Sequence, residues 1–166
     1  MKFSENWIFS GKKDQGTQAV EAGRETNFMT APAFVDTNIL LYADDRADSK
    51  KRKRAQGLIR EIVRDGNGRI SLQVLQEYFA GATRKLKIDA AIARRKVELY
   101  SRLDVVRLEP SDVLAAIDLH RLHQLSIWDA LILRAAIISG CRTLYTEDLQ
   151  SGFRMENLEI VNPFTA

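Results

Sequence analysis

Cysteine occurs once in 166 residues, at Cys141, which excludes an internal disulfide framework and fits a reducing compartment. With two histidines and that single thiol, no cluster of Cys and His exists that could hold zinc. His120 and His123 share a helix face but lack a third ligand at useful spacing, so a structural or solvent-facing place is expected of both. Long apolar runs are also missing. The most apolar segment, Ile127 to Ile138, is short and carries Asp129 and Arg134, so no membrane span is expected. The N-terminus has no continuous apolar core of the secretory kind. A cytoplasmic protein is the resulting expectation. Charge of one sign is not in great excess: the net value of +3 and a pI near 9.1 lean only weakly towards a polyanionic partner.

What is present suffices for a single domain with a real core, at 45% apolar and 28% charged residues. Residues 1 to 30 read as a loosely ordered extension to a domain spanning 31 to 166, because Gly11 to Gln18 and Gly23 to Asn27 carry no apolar period. In the extension, Trp7, Ile8 and Phe9 offer a small docking patch. Met29 is a candidate initiator, which would make residues 1 to 28 a start-site artefact.

From Phe34 onward, short apolar runs alternate with helical periodicity. Strands are expected at Phe34-Val35, Arg69 to Ser71, Val105 to Leu108, Thr143 to Tyr145 and Leu158 to Val161. Helices are expected over 37–44, 49–64, 72–86, 89–102, 112–124 and 126–139. The last is apolar on nearly every side and should lie deep, with Trp128 packed in the core and Gly140 as its C-terminal cap. This alternation argues for an α/β fold with a parallel sheet covered on both faces.

Four acids stand out: Asp36, Glu77, Asp129 and Asp148. Each has a plain explanation. Asp36 can cap the helix behind it, and Asp129 stands at capping-box spacing from Ser126. Asp148 can be a turn residue, and Glu77 an ordinary solvated side chain opposite an apolar stripe. Together these explanations cover less. Asp36 and Asp148 each follow an apolar strand, so a parallel sheet brings them to one edge, and the helix start at Asp129 belongs to that same edge. Ala80 and Gly81, one turn along from Glu77, leave room there for a ligand.

Carboxylates crowded into one crevice repel by roughly 1 to 4 kcal/mol per pair at close range. Such a cluster persists by taking up protons or a divalent cation. Oxygen-only ligands select Mg²⁺ or Mn²⁺, which keep waters, one of which can serve as nucleophile. That chemistry suits in-line attack on a phosphodiester.

Phe34-Val35-Asp36-Thr37-Asn38 with Leu40 and Tyr42, then Gln76-Glu77, Ser126-Ile127-Trp128-Asp129-Ala130, Tyr145-Thr146-Glu147-Asp148-Leu149 and Asn162-Pro163-Phe164 resemble a PIN domain. The similarity is greatest to the VapC-like toxins of bacterial toxin–antitoxin pairs, and it covers about residues 33 to 164. The resemblance implies a five-stranded parallel sheet between helices. It also implies Mg²⁺- or Mn²⁺-dependent ribonuclease activity, a small antitoxin partner and a homodimer. Carried over by motif, Asp36, Glu77, Asp129 and Asp148 are the catalytic and metal-site acids. Thr37 or Asn38 supports Asp36, Thr146 takes the polar position before the last acid, and the motif favours Asp148 over Glu147.

Two basic groups are candidates for RNA contact. Lys50, Lys51, Arg52 and Lys53 lie at a helix start, where cations oppose the helix dipole and a sequence chosen for helix stability would not put them. Phosphate contact is favoured there over a solvated face or an acidic protein segment. Arg84, Lys85 and Lys87, with Arg94, Arg95 and Lys96, could flank an RNA groove leading to the acids. Two rivals stay open: an RNA-processing nuclease without an antitoxin, and a binding module whose acids only cap and turn. An aspartyl-phosphate phosphatase is disfavoured, because Asp36 lacks a second Asp two residues on.

Overall fold

The computed structural model describes residues 31–165, so the extension, its Trp7-Ile8-Phe9 patch and the Met29 start lie outside the described residues. A continuous apolar run suits a strand buried on both faces, and Ala33, Phe34 and Val35 form such a strand, β1 (Ala33–Val35). Asp36 ends it and caps α1 (Thr37–Asp44). Next comes α2 (Ser49–Asp65), whose N-cap Asp48 accepts from the amides of Lys50 at 3.0 Å and Lys51 at 2.9 Å. That carboxylate offsets part of the basic run's conflict with the helix dipole. The helix stops at Gly66, whose φ of +65° is left-handed.

The chain continues through β2 (Gly68–Ser71), α3 (Leu72–Arg84), α4 (Ala90–Tyr100) and β3 (Asp104–Val106). Pro110 then opens α5 (Pro110–His123), and the Asp112 carboxylate accepts from the Glu109 amide at 3.0 Å just ahead of it. After α6 (Ile127–Ile138) come β4 (Thr143–Tyr145), β5 (Arg154–Met155) and β6 (Leu158–Val161). The strand order is β3-β2-β1-β4-β6-β5, parallel throughout except for β5 against β6. From β1 the chain moves outward through β2 and β3, then returns to the far side of β1 as β4. The topological switch point, where open α/β sheets form a crevice, is therefore at the C-terminal ends of β1 and β4.

The α/β architecture and the parallel core of the sheet agree with the sequence reading, but among the described residues the sheet has six strands where five were expected. The sixth, β5, is a two-residue antiparallel edge with Arg154 opposite Glu159 and their side chains paired at 3.1 Å. Two residues are too few to show alternation. The expected depth of α6 holds only at its centre. Ala130, Ile132, Leu133, Ala135 and Ala136 are buried, whereas Trp128 is 62% and Ile138 40% exposed. Gly140, with φ of +70°, follows the helix as expected.

Close packing beneath β2 makes a specific demand. A Cβ on Gly68 would stand 2.3 Å from Ile62 Cγ2 and 3.1 Å from Leu103 Cδ2. Gly68→Ala is expected to cost about 1 to 3 kcal/mol through overpacking, seen as a lower urea midpoint at unchanged slope. An unaltered midpoint would mean that the Ile62 side chain yields without cost.

Candidate active site

The register pairs Val35 with Tyr145 and Tyr145 with Val161, and the ladder runs one residue further. The Asp36 amide donates to the Tyr145 carbonyl at 3.0 Å and the Thr146 amide to the Val161 carbonyl at 3.1 Å. Asp36 and Thr146 are thus set side by side at the sheet edge. Asp36 Oδ1 accepts from the Thr37 amide at 2.6 Å, which is the capping role. Its Oδ2 accepts from the Thr146 hydroxyl at 2.7 Å and the Asn38 amide at 3.1 Å. Burial pushes this carboxyl up from 3.8 to about 6. The Thr146 and Thr37 hydrogen bonds pull the other way, and the nearby charges of Asp148 and Glu77 add to the rise.

Neutral side chains tie other acids to this one. Thr37 Oγ1 donates to Glu77 Oε2 at 2.8 Å, linking α1 to α3. Asn38 Nδ2 also reaches Asp148 Oδ2 at 3.0 Å and Thr146 Oγ1 at 3.1 Å. The Thr146 hydroxyl accepts from the Asp148 amide at 3.1 Å, so the turn at this point is held by the threonine and leaves the Asp148 carboxylate for the cluster. Asp129 stands on the first turn of α6. The Ser126 hydroxyl accepts from its amide at 3.0 Å and donates to its Oδ2 at 2.7 Å. Gln73 was not singled out in the sequence, although its i,i+4 spacing from Glu77 was visible. Its amide donates to Glu77 Oε1 at 2.8 Å and to the Trp128 carbonyl at 3.3 Å, joining α3 to the start of α6.

All four acids, with Thr37 and Asn38, line one cleft of about 770 Å³. Their oxygen-only donor set fits a hard divalent cation. Beside them Asn38 Oδ1 is buried without a hydrogen-bond partner, an acceptor left over for a cation or a proton donor. As arranged, no three His, Cys, Asp or Glu side chains among the described residues stand together at metal-holding spacing. The Asn38 amide occupies oxygens of Asp36 and Asp148 for which a cation would compete.

Glu147 lines the same cleft, but a cation occupies its carboxylate. It pairs with Lys51, whose ammonium also donates to the Tyr42 hydroxyl at 3.1 Å and lies 4.4 Å from the Tyr42 ring centre and 5.4 Å from that of Phe164. Lys51 is pushed up to about 12, chiefly by Glu147. It is thus a fixed part of the scaffold here, not a free phosphate contact. Lys50 and Lys53 are exposed and Arg52 is half-buried on the same turn, and none of the three lines the cleft. Arg84 and Lys85 are exposed and do line it, while Lys87 is exposed just beyond α3.

Lys96 does not flank an RNA groove. It is buried, with Nζ 2.8 Å from Asp44 Oδ1. Ala80 and Gly81 line the cleft beside Glu77, as expected. The glycine also lets α1 approach α3, since a Cβ there would meet the Leu41 methyls at 2.8 and 2.9 Å. His120 and His123 are exposed on α5. No helix among the described residues is long and apolar enough to cross a membrane.

A family model for the PIN domain matches residues 33–154. No curated protein gives a significant match. Among solved structures, the chain is similar to the Mycobacterium tuberculosis toxin VapC20, described as cleaving the sarcin–ricin loop. Identity is 19%, covering 68% of this chain and 86% of that one, with a TM-score of 0.54. A toxin–antitoxin complex from Klebsiella pneumoniae is similar at 22% identity over 79% of this chain and 97% of the other, TM-score 0.58. VapBC2 from Rickettsia felis, bound to a fragment of promoter DNA, is similar at 23% identity over 77% and 96%, TM-score 0.55. At these identities the likeness is one of fold.

Proposed function

The chain belongs to the PIN-domain family, and from that premise we propose that it is a Mg²⁺- or Mn²⁺-dependent endoribonuclease, the toxin of a VapBC-type pair. The observation that carries this reading is the convergence of Asp36, Glu77, Asp129 and Asp148 on one cleft from four separate segments, with two cations, Arg84 and Lys85, in the same wall. Family membership and the toxin–antitoxin complexes among its structural neighbours support it.

In this reading the four acids hold the cation, and Thr37, Asn38 and Thr146 orient the carboxylates. When bound, the cation would supply an activated water and offset charge on the phosphate. Arg84 and Lys85 draw the RNA backbone across the cleft. An antitoxin would occupy this cleft and keep the enzyme silent, a homodimer would be the active assembly, and the cytoplasm would be the site of action.

The test is digestion of total RNA by the purified, antitoxin-free chain. Cleavage should require Mg²⁺ or Mn²⁺, stop with excess EDTA and resume when Mn²⁺ is restored. Cutting that survives EDTA would remove the metal from the reading, and no cutting under any of these conditions would favour a binding module.

A further inference from the structure

Trp128 departs furthest from what its sequence setting implies. An indole buried with its neighbours would contribute about 2 kcal/mol or more to stability, yet this one is 62% exposed. It is also not loosely placed. It lies on the first turn of α6, next to Asp129, and its carbonyl is tied through Gln73 to Glu77. Trp128 is among the residues that line the acid-lined cleft, together with Ile132, Leu86 and the cationic pair Arg84 and Lys85.

On the strength of the nuclease reading above, we infer that Trp128 is a stacking platform for one base of an unpaired nucleotide, making the cleft selective for single-stranded RNA or splayed-out loops. The acids would hold the cation that faces the phosphodiester, Arg84 and Lys85 are complementary to flanking phosphates, and the indole offers the apolar face that a base needs once it leaves its own stack. Duplex RNA keeps its base faces covered, so it has nothing to give this surface. Every base has a π-face, so the platform selects strandedness rather than sequence.

The chain has two tryptophans, and Trp7→Phe leaves Trp128 as the sole source of indole emission. In that full-length background, carrying Asp36→Asn to prevent turnover, a labelled single-stranded oligoribonucleotide is titrated in Mg²⁺. Anisotropy follows binding and indole emission follows stacking. Saturable quenching by the single strand, and far weaker quenching by the same sequence as a duplex, is the expected result. Trp128→Leu should weaken single-strand binding about tenfold, and Trp128→Tyr should restore most of it. Binding that leaves the emission unchanged, or that survives Trp128→Leu undiminished, overturns the stacking role while the metal-dependent cleavage test stands untouched. If Trp128→Leu instead releases only a co-purified protein, the residue is a protein contact and the inference also fails. Absence of both RNA binding and wild-type cleavage would defeat the nuclease reading itself, and this inference with it.

Discussion

Asp36→Asn should reduce RNA cleavage by roughly a hundredfold or more, beyond the loss typical of a group that only supports a metal ligand, and the variant should melt no lower than wild type at pH 7. The substitution keeps the shape and the capping ability, because Asn caps a helix about as well as Asp. Its cost is the two contacts at Oδ2, from the Asn38 amide and the Thr146 hydroxyl, where donor would then meet donor, worth about 1 kcal/mol each. Its gain is electrostatic. The folded-state carboxyl sits near 6 and the ordinary value is 3.8, so the fold prefers the neutral acid. The stabilisation from this preference is full below about pH 3.8 and is lost as pH rises through 6. The ionised group then weighs against folding by about 3 kcal/mol at neutral pH. Thermal melting in EDTA from pH 4 to 8 should show this loss in the parent and not in the variant, and Mg²⁺ should stabilise only the parent appreciably. Parallel melting curves for the two proteins would contradict the account. A variant that still cut RNA would confine Asp36 to capping.

The second large effect lies away from the cleft. Lys96 and Asp44 form a buried ion pair joining α4 to the end of α1, and the Tyr78 hydroxyl donates to the other Asp44 oxygen at 2.6 Å. Tyr100 packs edge-on against Tyr78, the ring centres 5.1 Å apart. Lys96→Met strands the aspartate's charge among these rings and should cost about 3 to 5 kcal/mol. Combining it with Asp44→Asn removes the stranded charge and keeps an acceptor for Tyr78, so the double variant should recover most of that loss. Urea denaturation of the three proteins decides the matter. Equal stability of the single and double variants would show that the charge was solvated after all.

How much of this was legible in the sequence depended on whether the deciding partner was local. Asp36 and Asp148 were placed at one edge because each follows an apolar strand and parallel pairing sets β1 beside β4, although Asp148 arrives through the turn held by Thr146. Glu77 and Asp129 were placed from helix phase and helix start, and both line the same cleft. The two ends of α6 were readable from Ser126 and Gly140, since caps act within four residues. Lys96 was misread because its partner lies 52 positions earlier, and a charge run carries no mark of which member turns inward. Trp128 was misread because periodicity reports what a helix could bury, not whether anything stands opposite to bury it. Gly81 was read as space and does line the cleft, but its second use, the close approach of Leu41 from another helix, has no local mark. The strand β5 escaped notice because its order comes from β6 rather than from its own two residues.

The Lys51 ammonium is held by Tyr42 of α1, by Glu147 next to Asp148, and against the ring of Phe164 in the final turn. Arg54, one helical turn along, anchors that turn by donating to the Pro163 carbonyl at 3.0 Å. The loop bearing Asp148 is therefore no free flap. It is tied to the segment at Pro163 and Phe164 twice over, through Lys51 and through the edge-on packing of Tyr42 against Phe164, ring centres 5.0 Å apart.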